Sequence, residues 1–514
     1  MSAPLHQWAR AQLTALNVPI TRLVTDSRVI QRGDTFVAYP GEKTDGRQFI
    51  ANAIVQGANA VIYEKLLSGH PRESQHFVWN DAWQVPNLAV ADLRHKAGWL
   101  ADAVYGGPSE KLWVVGITGT NGKTSTSHWI AHALNDAGKK CALIGTLGNG
   151  FVDALQATEN TTPDAIRVHG LLADYSRGGA QAVAMEVSSH ALSQGRANAV
   201  HFDVAMLTNL SRDHLDYHGD MQSYAAAKRK LFDLQHLEYV VLNFDDAYGA
   251  ELAEQLQDAD AEVIGYGLSD AALRLAERRG LRMVYGNLLE MSGQGLRLEV
   301  HSSWGAAGLD SMLVGRFNAA NLLGALAVLL VRGIPLNAAV QSLSKVQPVS
   351  GRMQRLGNAQ QPTVIVDYAH TPDALEKVLQ ALREVGAAEG GKVLCVFGCG
   401  GDRDRGKRAM MGMVAEKFSD FCIVTSDNPR SENPREIIAE IISGMNDENH
   451  EIIVDRAVAI QSAIRLARQR DTVLIAGKGH EDYQEINGVR HPFSDVQVVQ
   501  QALRQAQGKP GEGA

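Results

Sequence analysis

Cysteine is scarce in this chain. Four thiols in 514 residues, Cys141, Cys395, Cys399 and Cys422, are too few for a disulfide framework. Cys395 and Cys399 have C-x3-C spacing, but no second pair completes a zinc site. Buried, reduced thiols are therefore expected. An excess of basic charge is missing too: 49 Lys and Arg face 57 Asp and Glu, a formal net charge of −8. That balance argues against a dedicated nucleic-acid binder, which usually carries a basic face. It leaves small anionic ligands open, because a few local cations suffice for them. Long hydrophobic runs are absent. The longest uncharged apolar stretch, residues 317–331, is too short to span a bilayer and begins with the polar Asn318 and Asn321. The opening residues, MSAPLHQWARAQL, lack the basic start, apolar stretch and cleavage site of a signal peptide. A cytoplasmic monomer with no membrane or nucleic-acid partner is expected.

What is present is ordinary for a folded protein: 45% apolar and 21% charged residues. At roughly 150 residues per domain the length suggests about three domains. The first, residues 1–108, reads as a small mixed α/β unit with strands at 35–39 and 60–64 around a helix at 48–56. Polar turn residues at 105–109 mark its end. In residues 109–346 continuous apolar runs at 112–118, 141–145, 182–187, 202–208 and 239–243 alternate with helical stretches, which predicts a parallel sheet buried on both faces. The alternation resumes in residues 347–514, with strands at 363–368, 393–398, 421–426, 452–455 and 472–476. The expected fold class is thus α/β in three domains: a small N-terminal domain, a central P-loop-type parallel-sheet ATPase domain and a C-terminal Rossmann-like domain.

Residues 118–124, TGTNGKT, stand between a buried strand and a helix, where a phosphate loop belongs. Backbone N–H groups of Gly119, Thr120, Asn121, Gly122 and Ser125 and the Lys123 ammonium can bind phosphate oxygens, and the Thr124 hydroxyl can ligate Mg²⁺. The strict P-loop pattern fails, because Ile117 stands where its first glycine belongs. A solvated glycine turn is the alternative. A dinucleotide fingerprint at 398–403 lacks its third glycine, since Arg403 occupies that position.

Taken in order, TGTNGKT with EVSSH (186–190), TNLSRDHLD (208–216), GRFNAAN (315–321), SGRMQR (350–355) and VDYAHTP (366–372) resembles the ATP-dependent Mur ligases of peptidoglycan synthesis. DNPR (427–430) and GKGHE (477–481) are similar to the branch that adds meso-diaminopimelate to UDP-N-acetylmuramoyl-L-alanyl-D-glutamate. The resemblance implies ATP and Mg²⁺ as cofactors, with the dipeptide nucleotide and the diamino diacid as substrates. The reaction implied is amide formation through an acyl phosphate.

It also implies roles for individual residues. Lys123, Glu186, His214 and Lys228 form the catalytic set, and Thr124, Glu186, His214 and Lys228 the metal set, with Lys228 carbamylated. The residues alone leave Glu186 open as an ion-paired strand end, do not choose between His214 and His218, and make Lys228 part of a solvated basic helix face. Asn318 and Asn321 face the adenine, with helix capping as the alternative for Asn318. Arg352 and Asp367 meet phosphate and ribose. Thr25, Ser27, Glu42, Lys43 and Thr44 meet the uridine nucleotide, with a plain turn as the alternative at Ser27. Asn160, Thr161, Thr162, Ser188, Gln194 and Arg196 meet the muramoyl-dipeptide, though Thr162 before Pro163 is also a plain helix cap. Asp427, Asn428, Pro429, Arg430, Gly477, Glu481 and Arg403 line the amino-acid pocket, with a surface ion pair as the alternative for Arg430. A lysine-adding relative, a folylpolyglutamate synthase and a P-loop kinase or NTPase without ligase chemistry remain as competing readings.

Overall fold

The computed structural model describes residues 2–42, 44–65, 77–358, 360–446 and 449–507. Among the described residues the strands form a four-, an eleven-, a six- and a two-stranded sheet, in that order along the chain. The first is all parallel: Leu23–Val24, Thr35–Ala38, Ala60–Glu64 and Asn87–Val90 lie side by side. The helices Ser2–Ala15 and Leu93–Tyr105 pack together beside it.

Trp113–Thr118 lies near the middle of the large sheet, with Ala182–Glu186 on one side and Val204–Leu207 on the other, all parallel. Every residue of these three strands is buried, as their uninterrupted apolar runs require. The chain builds outward in opposite directions from here, to Cys141–Gly145 on one side and Tyr239–Asn243 on the other. In open α/β sheets a ligand site sits at such a reversal, beyond the C-terminal strand ends. The expected parallel sheet is therefore correct at its centre and incomplete at its edges. Antiparallel strands Gly148–Phe151 and Ala154–Gln156 close one edge, and the meander Arg282–Ser292, Gly295–Ser302, Gly305–Ser311 extends the other.

The apolar stretch at 317–331 forms most of the helix Arg316–Val331, buried nearly throughout from Asn318 to Leu330 and packed against the helix Lys123–Asp136 and the sheet. It is a core helix. No helix among the described residues is long and apolar enough to cross a membrane. The four cysteines are free and buried, and burial pushes their thiols up, Cys399 to about 12 and Cys422 to about 11, so they stay protonated.

The C-terminal sheet runs Gln354–Leu356, Thr363–Asp367, Thr472–Ala476, Val393–Phe397, Phe421–Val424, His450–Ile452, with the first strand antiparallel. The strand expected at 452–455 lies earlier, at His450–Ile452, because Asp455 instead caps the helix Arg456–Leu466 by accepting from the Val458 N–H at 3.0 Å. Arg456 at that helix start and Asp495 form a fully buried bidentate pair at 2.7 and 2.8 Å. Removing one partner strands a buried charge. Arg456→Met is expected to cost about 3–5 kcal/mol of stability, and Arg456→Met with Asp495→Leu to recover most of it, measured by denaturant unfolding.

Candidate active site

The phosphate loop is shaped by what surrounds it. Gly119 has φ +145° and a side chain there would strike Thr208 Oγ1; at Gly122, φ +88°, a Cβ would come within 2.7 Å of Asn321 Oδ1. Only glycine fits either position. The helix Lys123–Asp136 begins directly after Gly122 with no side chain capping it, so its first N–H groups point into the loop. Lys123 Nζ donates to Gly119 O at 2.8 Å and Thr120 O at 2.9 Å, curling over the loop where phosphate oxygens would lie. Burial, aided by Arg352 and opposed by Glu186, lowers the ammonium pKa.

Glu186 ends the neighbouring strand and is fully buried. It accepts from Thr124 Oγ1 at 3.0 Å, Thr146 N at 2.9 Å and Thr146 Oγ1 at 3.0 Å. It is therefore no ion-paired strand end but a buried carboxyl group joined to the loop hydroxyl. Across the loop, Lys228 is 1% exposed and donates to Gly119 O at 2.8 Å, with its Nζ 4.5 Å from the Tyr224 ring centre. The solvated-face alternative fails for Lys228 and holds for its neighbours, since Lys230 is exposed and Arg229 pairs with Asp233. Burial and the adjacent Lys123 push the Lys228 ammonium well below its usual pKa.

His214 has φ +55° and follows Asp213, whose carboxylate lies 3.3 Å from its Nε2. Burial holds the imidazole neutral, with His190, His370 and Lys228 adding to the effect. Burial alone would raise the Asp213 carboxyl, but the hydrogen bond with His370 and the nearby His214 and Lys407 hold it well below the usual range. His218 is engaged elsewhere, 3.0 Å from Ser189 Oγ.

A cavity of about 350 Å³ opens beside the loop, between the central and C-terminal sheets. Asn121, Gly122, Ser125, Asn318, Asn321, Arg352 and Asp367 line it. Gly315, not Asn318, caps the helix Arg316–Val331, and the Asn318 amide donates back to Val314 O at 2.8 Å. Arg352 lies 4.3 Å over the Tyr368 ring and reaches Thr124 Oγ1 at 3.4 Å. Asp367 accepts from Met353 N and Ala369 N, at 2.7 and 2.8 Å, and burial raises its carboxyl. The junction is closed by Arg212 on Asp404, bidentate at 3.0 and 3.1 Å, and by Asn121 on Asp373 at 3.2 Å.

On the side of the first sheet, Thr25 Oγ1 donates to Asp164 at 3.3 Å, Asp26 accepts from the Arg28 N–H and guanidinium, and Ser27 is buried in that turn. Gln194 bridges Glu42 and Tyr217, while Arg196 donates to Gln194 and to Thr162 O. Thr44 is exposed, and Lys43 lies outside the described residues. Asn160 is exposed and Thr161 Oγ1 meets Thr146 Oγ1 at 3.0 Å. The cap expected at Thr162 is instead Asp164, which accepts from the Arg167 N–H at 3.1 Å as the helix Ala165–Arg177 begins. Thr162 is fully buried because its hydroxyl donates to Glu186 O at 2.8 Å and accepts from the Ser188 N–H at 3.1 Å.

In the C-terminal sheet, the loop 427–430 leaves the end of Phe421–Val424 and faces 477–481 beyond Thr472–Ala476. Asn428 Nδ2 donates to Glu481 at 2.8 Å. Gly477 has φ +117° and a Cβ there would lie 2.6 Å from Asp427 Oδ2. Arg430 follows Pro429 with φ +51°, strained for a residue with a side chain. The strain is held by Arg430 N on Glu485 O at 3.0 Å and Asn487 N on Arg430 O at 2.7 Å. Its guanidinium donates to Gly401 O at 2.7 Å. Arg430 and Arg403 flank Gly400, and Arg403 also faces Asp216 at 3.7 Å.

Three family models match the chain: the Mur ligase family catalytic domain at 19–105, the Mur ligase middle domain at 117–329 and the Mur ligase glutamate ligase domain at 351–479. A UDP-N-acetylmuramoyl-L-alanyl-D-glutamate–2,6-diaminopimelate ligase of Chromobacterium violaceum is 49% identical over 97% of both chains, and one of Nitrosomonas europaea is 48% identical over 97% of this chain and 96% of its own. The chain belongs to the Mur ligase family. A solved structure with the same diaminopimelate ligase title has 36% identity and a TM-score of 0.64 over 96% of each chain. A Thermotoga maritima MurF ligase in complex with ADP has 17% identity and a TM-score of 0.61 over 94% of this chain and 97% of its own, a likeness of fold alone.

In this Mur ligase the structure brings Lys123, Thr124, Glu186, Lys228 and Arg352 around one loop. Thr44 and Asn160 are exposed. Sequence reasoning missed Asp213, Tyr217, Asp164 and Lys478. Asp213 and Lys478 both stand inside segments already singled out, at 208–216 and 477–481, so each motif carried the signal. Some of their partners lie far along the chain, His370 and Lys407 for Asp213 and Asn428 for Lys478.

Proposed function

We propose that this Mur ligase joins meso-diaminopimelate to the D-glutamate carboxylate of UDP-N-acetylmuramoyl-L-alanyl-D-glutamate, forming ADP and phosphate through an acyl phosphate. The observation that carries the reading is the convergence of a phosphate loop, the hydrogen-bonded pair Glu186–Thr124, and the cavity between the central and C-terminal sheets, with Arg403 and Arg430 side by side at Gly400. Relatives of the same length at 45–49% identity bearing that ligase name support it. Residues 1–108 hold the uridine nucleotide, 109–346 the ATP and 347–514 the incoming amino acid.

Mur ligases are ATP-dependent. The helix N-terminus and Lys123 hold the β- and γ-phosphates, Asn318 and Asn321 meet the adenine, and Arg352 and Asp367 meet phosphate and ribose. Thr25, Ser27, Glu42, Lys43 and Thr44 meet the uridine nucleotide, and Asn160, Thr161, Thr162, Ser188, Gln194 and Arg196 the muramoyl-dipeptide. The carboxylate is a poor electrophile until phosphorylated, after which the amine attacks and phosphate leaves. Lys123 and Arg352 stabilise the charge that develops in both steps. Arg403 and Arg430 receive the distal carboxylate and Glu481 the distal amine; Asp427, Asn428, Pro429 and Gly477 shape the pocket. Incubation with Mg-ATP, meso-diaminopimelate and the dipeptide nucleotide carrying an ¹⁸O-labelled glutamate carboxylate should place one label in inorganic phosphate. Unlabelled phosphate would refute the acyl-phosphate route.

Mg²⁺, when bound, neutralises phosphate and carboxylate charge. The donors that fit it are Thr124 and Glu186 on one side of the loop and His214 and Lys228 on the other. An ammonium repels a cation, but a buried lysine with a depressed pKa is partly a free amine, the form that adds CO₂. The amine nitrogen bonds the CO₂ carbon and releases one proton, leaving an anionic carbamate. With ¹³C-bicarbonate, a carbamate carbon signal is expected in the wild type and not in Lys228→Ala, and removing CO₂ should lower activity reversibly. An unmodified Lys228 in the active, Mg²⁺-loaded enzyme would refute this.

A further inference from the structure

Four of the largest fully buried side chains are cationic: Arg408, Arg456, Lys228 and Lys478. Arg408 is neutralised by Glu432 and Glu440, Arg456 by Asp495, and Lys228 sits at the phosphate loop. Lys478 is bonded to two of the residues assigned to the amino-acid pocket, Asn428 and Glu481. Its Nζ donates to Glu481 Oε2 at 2.9 Å and to Asn428 Oδ1 at 3.0 Å. We infer that Lys478 is a positioning residue that sets the orientation of Glu481 and Asn428 toward the incoming diamino acid. The inference rests on the proposed reading of that pocket.

The network leaves little freedom. Asn428 Oδ1 accepts from both Lys478 and the Glu485 N–H, at 3.0 Å each, so its amide nitrogen is turned to Glu481 Oε2 at 2.8 Å. Glu481 Oε2 thus takes two donors, and Oε1 stays outside this network, free to accept from a substrate ammonium. The same bonds reach the carboxylate side of the pocket. Glu485, fixed through Asn428, accepts the Arg430 N–H at 3.0 Å and so helps hold the strained backbone from which the Arg430 guanidinium extends. The backbone permits this because Gly477 and Gly479, with φ +117° and +53°, flank Lys478 and turn its side chain inward. A Cβ on Gly479 would come within 2.6 Å of Gly351 O. Without Lys478, Glu481 Oε2 and Asn428 Oδ1 each lose one of their two donors.

The test is a steady-state comparison of Lys478→Met, Glu481→Gln and the double variant, with Mg-ATP, dipeptide nucleotide and meso-diaminopimelate varied in turn. Lys478→Met is expected to raise KM for diaminopimelate about tenfold or more, leaving kcat and the other two KM values within about twofold. If Lys478 acts through Glu481, the double variant is no worse than about the poorer single one, a coupling that a merely structural lysine would not produce. Lys478→Arg, which keeps the charge but substitutes a planar fork for a point donor, should give the same selective rise and serves if the Met variant does not fold. An equal rise in all three KM values, additive effects in the double variant, or no rise in any overturns the inference. Wild-type protein inert toward diaminopimelate overturns the pocket reading and the inference together.

Discussion

Lys123→Ala is expected to lower kcat for ADP formation by about 10²–10³-fold, with smaller changes in the KM values for the two other substrates. The Lys123 ammonium lies over the loop carbonyls of Gly119 and Thr120 at 2.8 and 2.9 Å, where the transferring phosphoryl group would displace those contacts. Its partly desolvated charge meets phosphate oxygens in a setting poor in competing water, which makes the interaction stronger than at a surface. Lys123→Arg is expected to rescue little, because its longer planar fork does not match a site where Lys123 and Lys228 share the Gly119 carbonyl. Retention of more than about a tenth of wild-type kcat in Lys123→Ala would show that another group carries the phosphoryl charge.

Arg430→Ala is expected to reduce the preference for diaminopimelate over lysine by about 10³-fold, mainly by raising KM for diaminopimelate. The two amino acids differ by one distal carboxylate, so discrimination depends on groups that bind it. Arg430 is suited to this, since Pro429, Glu485 and Asn487 fix its backbone and Gly401 O its guanidinium. Lysine brings no carboxylate to that cation, which then keeps only Glu485 at 3.6 Å, and the missing contact falls on the wrong substrate. Competition assays with the two amino acids at equal concentration measure the ratio directly. An unchanged ratio in Arg430→Ala would move specificity to Arg403 or elsewhere.

The parallel strands were legible because they are buried on both faces and their side chains are uniformly apolar, as in 113–118 and 182–186. The meander at 282–311 was not, because its strands alternate buried and exposed residues and carry glycine and charge. The exposed hairpin Tyr483–Ile486 and Val489–Pro492 offered even less, yet it holds Arg430. Lys123 and Thr124 were readable from their place between strand and helix. Lys228 was not, because a basic helical stretch gives no sign of which lysine is buried. The fold singles it out among the basic residues of that helix by placing Tyr224 and the Gly119 carbonyl against it. The alternative of a plain cap at Thr162, which a threonine before proline offers locally, is not made, because the distant Glu186 and Ser188 claim its hydroxyl. Asp213 depends on His370 and Lys407, more than 150 residues away, and no local pattern carries such a pairing.

The most direct test of the central claim is the amino-acid dependence of ADP formation. With Mg-ATP and UDP-N-acetylmuramoyl-L-alanyl-D-glutamate both saturating, sustained ADP release is predicted to require meso-diaminopimelate, to be far slower with lysine, and to accompany one amide bond per ADP formed. ADP release at the same rate with no amino acid present, or with any amino acid added, would contradict the ligase account and leave a plain ATPase.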